Sequence, residues 1–218
     1  AAAWKRVTGR PIVEGYGLSE TSPVVSVNRL DIADFTGTVG YPLPSTEVAV
    51  RSADGEPVPP GEPGELCVRG PQVMAEYWHR PEESAAAFTP DGFFRTGDIA
   101  RLEPDGAVRI VDRVKDMVLV SGFNVYPSEV EDVLASCPGV LEAAVIGRPD
   151  ERTGERVEAF VVRADPTLAE PALAAWCRAR LAPYKLPRRF HFRDSLPKTA
   201  VGKVLRRALR EEEAAATG

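Results

Sequence analysis

Cysteine and histidine are scarce in this chain of 218 residues, which holds three of the first and two of the second. Cys67, Cys137 and Cys177 stand far apart, with no CxxC and no Cys/His spacing, so the sequence supports neither a disulfide framework nor a zinc site. A reduced, cytoplasmic setting is the corresponding expectation. No apolar run approaches the length of a membrane span, and the opening residues show neither the charged start nor the long apolar core of a signal peptide. Any membrane contact is therefore expected to be peripheral, at the inner membrane surface. Positive charge is not in excess either. The net charge of -5 argues against a wholesale nucleic-acid binder, although residues 188–210 form a basic segment in which Asp194 is the only acid. What remains, 44% hydrophobic and 27% charged, is ordinary globular composition, enough for one large domain or two small ones.

Up to about Arg113 the sequence is rich in Gly, Pro and short alternating stretches. Residues 46–50 and 65–68 read as strands, Ala53-Asp54-Gly55 and Pro59-Pro60-Gly61 as turns, and Pro81 opens a brief helical pattern through Phe88. Beyond Lys115 the pattern becomes strand 118–120, helix 127–136, strands 140–146 and 157–162, helix 168–181, strand 189–192 and helix 203–212. The fold class expected is α+β, with a β-rich part over 1–114 followed by a small, mobile α+β domain over 115–218. Pro127 suits the first turn of a helix whose apolar face includes Val130, Val133 and Leu134. Thr167 and Glu170 have capping-box spacing ahead of Leu168. Residues 106–111 are expected to pair with 117–120 as a hairpin, and the EEEAAATG tail to fray.

The segment from Asp112 to Glu131, DRVKDMVLVSGFNVYPSEVE, is the most informative. A plain hairpin turn would prefer Asn-Gly or Asp-Gly where Arg113, Val114, Lys115 and Asp116 stand, and Ser121-Gly122 breaks the apolar run that follows. This segment resembles the hinge and glycine loop of the adenylate-forming superfamily: acyl-CoA synthetases, peptide-synthetase adenylation domains and luciferases. Three more strings match the family in the same order, EGYGLSETSP from Glu14, FRTGDIARLEPDG from Phe94 and LPKTAVGKVLRR from Leu196. Four ordered matches are far harder to obtain by chance than one short motif. The intervening text, including PSTEVAV, GELCVRGPQVMAEYW and FRDSLPKT, is most similar to bacterial long-chain fatty acid CoA ligases.

The resemblance implies roles. Joining a carboxylate to the α-phosphate of ATP brings two anions together and calls for a cation. Lys203, after Gly202 and ahead of a helix, is then the adenylation lysine; alone it would read as a solvated lysine at the start of a basic helix. Asp98 of Thr96-Gly97-Asp98 is implied as the ribose ligand, with turn capping as its plain alternative, and Arg113 as a partner on the ribose and phosphate side, with a surface ion pair as its alternative. In the first string Tyr16 is implied to stack on adenine, Gly17 to allow close backbone approach, Ser19 to contact phosphate and Glu20 to help hold magnesium. Many members carry Thr at the place of Ser19, which keeps the hydroxyl. Tyr16 alone also reads as core packing. Lys115 matches the hinge position. Ser121, Gly122, Phe123 and Asn124 match the loop that lines the channel for the pantetheine of CoA, Gly122 being otherwise a plain β-turn residue.

The expected function is that of an ATP-dependent acid-thiol ligase acting on a fatty acid, ATP and CoA, with magnesium. The alternatives are transfer to a carrier-protein thiol, a noncatalytic nucleotide-binding module, or a basic patch for nucleic acid or anionic membrane. Family members place a Ser/Thr/Gly-rich phosphate loop and most of the acyl pocket well upstream of the Tyr-Gly motif, which here arrives at Tyr16. The chain is therefore expected to be the C-terminal third of such a ligase and inactive on its own.

Overall fold

The computed structural model describes residues 1–200 and 202–216, with side chains placed through residue 212 except at 201. By its contacts the chain divides into two compact units, Ala1–Val114 and Lys115–Gly218.

The first unit opens with a short helix α1 (Ala2–Thr8) and strands β1 (Gly15–Gly17), β2 (Val24–Val27) and β3 (Tyr41–Pro42), which form a small antiparallel sheet in that order. A second antiparallel sheet has the order β4 (Glu47–Arg51), β5 (Gly64–Arg69), β6 (Phe94–Leu102) and β7 (Val108–Arg113), with α2 (Pro81–Ala86) inserted before β6. Val25, Val50, Leu66, Val68, Ala100 and Val108 form the shared core, and Tyr16 packs against it.

Residues 106–111 do not pair with 117–120, contrary to the sequence expectation. Strand β7 pairs with β6, with Asp98 opposite Arg113 and Leu102 opposite Val108. The reason is the Asp105-Gly106 turn between them, where the Gly106 amide donates to the Glu103 carbonyl at 2.8 Å and Gly106 takes φ 88°. Residues Val114–Asp116 form a single 3-10 turn instead.

In the second unit β10 (Val140–Asp150) and β11 (Gly154–Arg163) make a long hairpin. Strands β8 (Val118–Val120) and β9 (Phe123–Val125) extend the sheet beyond β11, and β12 (Arg189–Arg193) runs parallel to β11. Alternation sorts the faces. Val145, Ala159 and Val161 lie in a cluster with Val130 and Leu134 of α3 (Pro127–Ala135) and Leu173 and Cys177 of α4 (Glu170–Arg178). Ala144, Ile146, Phe160 and Val162 lie in another with Leu196 and with Leu209 of α5 (Arg206–Ala216). The hairpin strands exceed the expected 140–146 and 157–162 because Asp150 Oδ1 gathers the turn, accepting from the Arg152 and Thr153 amides at 3.1 and 3.0 Å.

Two helix expectations need correction. The capping box at Thr167 and Glu170 does not form: α4 starts at Glu170 with Ala169 as its cap, while the Thr167 hydroxyl donates to Asp165 at 2.7 Å. Pro171 sits in the first turn, where its missing donor costs nothing. The last helix begins at Arg206 rather than Lys203, because Lys203 and Leu205 are bonded back to Thr199 and Pro197. The final two residues of the tail expected to fray lie outside the described residues, whereas α5 continues to Ala216. No helix among the described residues is long and apolar enough to cross a membrane.

Candidate functional site

In the first unit three residues expected to serve the nucleotide come together. The Tyr16 hydroxyl donates to Asp98 Oδ2 at 2.6 Å, and Arg113 Nε lies 3.3 Å from Asp98 Oδ1. Strand pairing causes this: Asp98 stands opposite Arg113 in the β6–β7 ladder, while β1 carries Tyr16 into the core beside β2. Thr96 fixes the approach to the acid, accepting from the Asp98 amide at 3.1 Å and donating to the Leu66 carbonyl at 2.7 Å. Burial, and then the hydrogen bond and charge of Asp98, push the Tyr16 phenol far above its ordinary range. It stays protonated and orients the carboxylate. Only 8% of the Asp98 side chain is exposed, against 56% for Arg113.

Gly17 is required by packing within the chain. A Cβ there would lie 1.7 Å from the Pro23 carbonyl oxygen, immediately before the strand that β1 pairs with. Ser19 and Glu20 sit on the 3-10 turn Ser19–Thr21, stapled by buried Thr21, whose hydroxyl accepts from the Leu18 amide at 3.0 Å and donates to the Pro23 carbonyl at 2.8 Å. Ser19 is exposed. Glu20 Oε1 accepts from the Tyr77 hydroxyl at 3.1 Å. Burial and then Glu20 raise the Tyr77 pKa. No cluster of three or more His, Cys, Asp or Glu fit for a metal exists among the described residues. A lone carboxylate with one oxygen engaged does suit magnesium, which keeps waters and substrate phosphates as most of its ligands.

In the second unit Ser121 and Gly122 form the two-residue turn of the β8–β9 hairpin, with φ of 51° and 85°. Successive left-handed residues match the right-handed twist of the strands. The Ser121 amide donates to the Thr153 carbonyl at 2.8 Å, which ties the turn to the β10–β11 connection. Phe123 and Asn124 belong to β9 rather than to a loop. Phe123 is 56% exposed and stacks on Tyr184 with ring centroids 4.8 Å apart. A Cβ on Gly122 would meet nothing within 4 Å, so the backbone angle, and not crowding inside the chain, asks for glycine there.

Lys203 lies at the end of a closed loop. The Leu205 amide donates to the Pro197 carbonyl at 2.8 Å, Thr199 to Lys203 at 2.8 Å, and Gly202, with φ 81°, to Thr199 at 2.9 Å. Lys203 and Lys115 are both exposed, and neither ammonium has an ion-pair partner among the described residues. The other basic residues of 188–210 are largely neutralised: Lys198 pairs with Glu142, Arg193 with Glu212, Arg206 with Glu131 and Asp116, and Arg210 with Asp116. Such pairing removes most of the patch that would attract nucleic acid or an anionic membrane.

Sequence reasoning missed Thr96, Tyr77, Tyr184 and the acids Asp116 and Glu131 as contributors. Thr96 and Tyr77 stand inside the matched strings, but Leu66 and Glu20, to which they donate, lie 30 and 57 residues away and carry no local signature.

Residues 1–78 match the AMP-binding enzyme family and residues 129–203 the AMP-binding enzyme C-terminal domain. The chain belongs to the AMP-binding enzyme family. Over 97% of its length it is 52% identical to the long-chain-fatty-acid–CoA ligase of Escherichia coli O6:H1, of which it spans 38%. A feruloyl-CoA synthase of an Amycolatopsis species is 46% identical over 93% of the chain, which spans 41% of that relative. Among solved structures, ATP-bound MatB from Rhodopseudomonas palustris superposes with a TM-score of 0.91 at 38% identity, covering 97% of this chain and 42% of that one.

Proposed function

We propose that the chain carries part of the machinery of an ATP-dependent acid–CoA ligase acting on long-chain fatty acids. In the first half reaction a fatty-acid carboxylate oxygen attacks the α-phosphorus of ATP, and pyrophosphate leaves. In the second the CoA thiol attacks the acyl carbonyl, losing its proton, and AMP leaves. The observation that supports this best is Asp98, a buried carboxylate held open-handed between a donating tyrosine hydroxyl and an exposed arginine. Tyr16 donates to one of its oxygens and Arg113 is ion-paired with the other, and both oxygens keep lone-pair capacity for a ribose hydroxyl. Arg113 is exposed enough to swing toward a phosphate, and the Tyr16 hydroxyl still donates to Asp98 when it does.

Ser19 offers its hydroxyl to phosphate. Glu20 would hold magnesium, which when bound supplies charge neutralisation to the phosphates. Lys203, a cation with no acid beside it, stabilises charge building on the crowded phosphorus. Lys115 acts as the hinge. Residues 121–124 present backbone, an open glycine and an aromatic ring to the thiol arm of CoA. The names of the relatives, both CoA ligases, favour CoA over a carrier protein. Relatives named for a fatty acid and for a feruloyl group match at 52% and 46%, so these residues discriminate the acyl group weakly.

The test is Lys203→Ala in the full-length polypeptide that contains this chain. Pyrophosphate exchange should fall by at least about 100-fold, because one charge aimed at the transition state is lost, while thioester formation from supplied acyl-adenylate persists. Equal loss in both half reactions removes Lys203 from its role.

A further inference from the structure

Arg206, three residues beyond Lys203, makes a set of contacts that the adenylation chemistry itself does not call for. Its Nη2 donates to Glu131 Oε2 at 2.7 Å and Oε1 at 2.9 Å, its Nε reaches Oε1 at 3.2 Å, and its Nη1 reaches Asp116 Oδ2 at 3.5 Å. Arg210, one turn later, donates to Asp116 Oδ1 at 2.9 Å. Glu131 Oε1 also accepts from the Val145 amide at 2.8 Å. One charged cluster thus joins α5, α3, β10 and the residue that follows Lys115.

The Lys203 loop is closed by its own backbone bonds, so it moves as a piece and its attachments decide where the ammonium points. One attachment is apolar: Leu196, Val204 and Leu209 rest on Ala144, Ile146, Phe160 and Val162. Such contact sets depth but is not directional. A second is the Lys198–Glu142 pair, whose side chains are 40% and 36% exposed, which makes it a weak restraint. The third is the grip of Arg206 on Glu131, with side chains only 20% and 19% exposed, and a forked guanidinium fixes direction as well as distance.

We infer that Glu131, Asp116 and Arg206 are positioning residues for adenylation, locking the Lys203 loop in a fixed orientation to the hinge residue Lys115. The inference rests on the adenylation role of Lys203. Asp116 neutralises two arginines at once and is covalently next to Lys115, so turning the backbone there carries the loop with it. Residues 121–124 are held separately, through Thr153, and do not depend on the cluster.

Glu131→Gln and Arg206→Lys in the full-length polypeptide test this, with both half reactions measured and Lys203→Ala alongside. A misplacement near one ångström costs on the order of 100-fold, so pyrophosphate exchange should fall by about 10- to 100-fold, in kcat rather than in KM for ATP. Thioester formation from supplied acyl-adenylate should keep its unmodified rate. Arg206→Lys keeps the charge but not the fork, so it should fail to preserve exchange; this milder variant also answers the question should Glu131→Gln not fold. Unchanged exchange, or an equal fall in both half reactions, overturns the inference. If Lys203→Ala itself spares exchange, the adenylation reading falls and the inference with it; if Lys203→Ala abolishes exchange while the cluster variants spare it, the inference alone falls.

Discussion

Asp98 in the first unit and Asp116 in the second are buried alike, with 8% and 9% of their side chains exposed, and both face arginine. Their partners differ. Asp98 has one arginine, 56% exposed and 3.3 Å away, and a tyrosine that cannot ionise near neutral pH. Asp116 has two, Arg206 and Arg210, 20% and 34% exposed. A buried acid whose cation can leave for solvent remains able to receive a ligand. One enclosed by two sheltered cations is a fastening, because removing any member strands charge away from water. Equal burial therefore says little about use; the exposure of the partner says more.

The sharpest way to break this comparison is to remove each acid. Asp116→Ala should destabilise the second unit by about 3–5 kcal/mol, the usual cost of orphaning a sheltered ion-pair partner. Asp98→Ala should cost the first unit about 1–3 kcal/mol, since Arg113 simply hydrates and only the Tyr16 hydroxyl loses its acceptor. Urea unfolding followed by amide exchange in each unit would measure both. A larger loss for Asp98→Ala would reverse the assignment of site and fastening.

Much of this arrangement was hidden from sequence patterns for a physical reason. Helix α3 was legible because Pro127 opens it and Val130 and Leu134 recur on one face, a local signal. The β10–β11 hairpin was legible in place but not in length, because a turn-rich stretch around Pro149 still accommodates strand pairing. The 106–111 pairing went wrong because local alternation marks a strand without naming its neighbour. The meeting of Tyr16 with Asp98, 82 residues apart, and of Arg206 with Glu131, 75 apart, is a property of the whole fold. The first pair was reachable only through the resemblance of whole strings. The second had no signal beyond a basic run that looked like surface charge.

The glycines extend the comparison at a smaller scale. Gly17→Ala would drive a methyl to 1.7 Å from the Pro23 carbonyl oxygen, so β1 must shift, at about 1–3 kcal/mol or more. Gly122→Ala meets open space and suffers only its φ of 85°, about 1–2 kcal/mol. The first change should also displace Tyr16 from Asp98 and weaken ATP binding, whereas the second should leave ATP binding alone. Isothermal titration with ATP on the full-length polypeptide separates them; weakened binding in Gly122→Ala would mean that the hairpin turn belongs to the nucleotide site.

The smallest expected difference lies in the response to alkali. Each unit holds a buried thiol, Cys67 in β5 and Cys177 in α4, both pushed up to about 11, foremost by burial. An unfolded thiol ionises near pH 9, so folded-state stability is intact below that value and is lost as pH rises toward about 11, where the folded thiol also ionises. To this the first unit adds Tyr16, whose folded pKa lies far above the ordinary value near 10, so its contribution is intact below pH 10 and declines above it. Alkaline loosening of the first unit should therefore expose Cys67. Alkylation with iodoacetamide, resolved by peptide mass spectrometry, should be slow at Cys67 at pH 8 and should rise above pH 10 more steeply than in Tyr16→Phe, which has no phenol to ionise. Rapid labelling of Cys67 at pH 8, or an equally steep rise in Tyr16→Phe, would show that the Tyr16–Asp98 bond does not govern how the first unit opens.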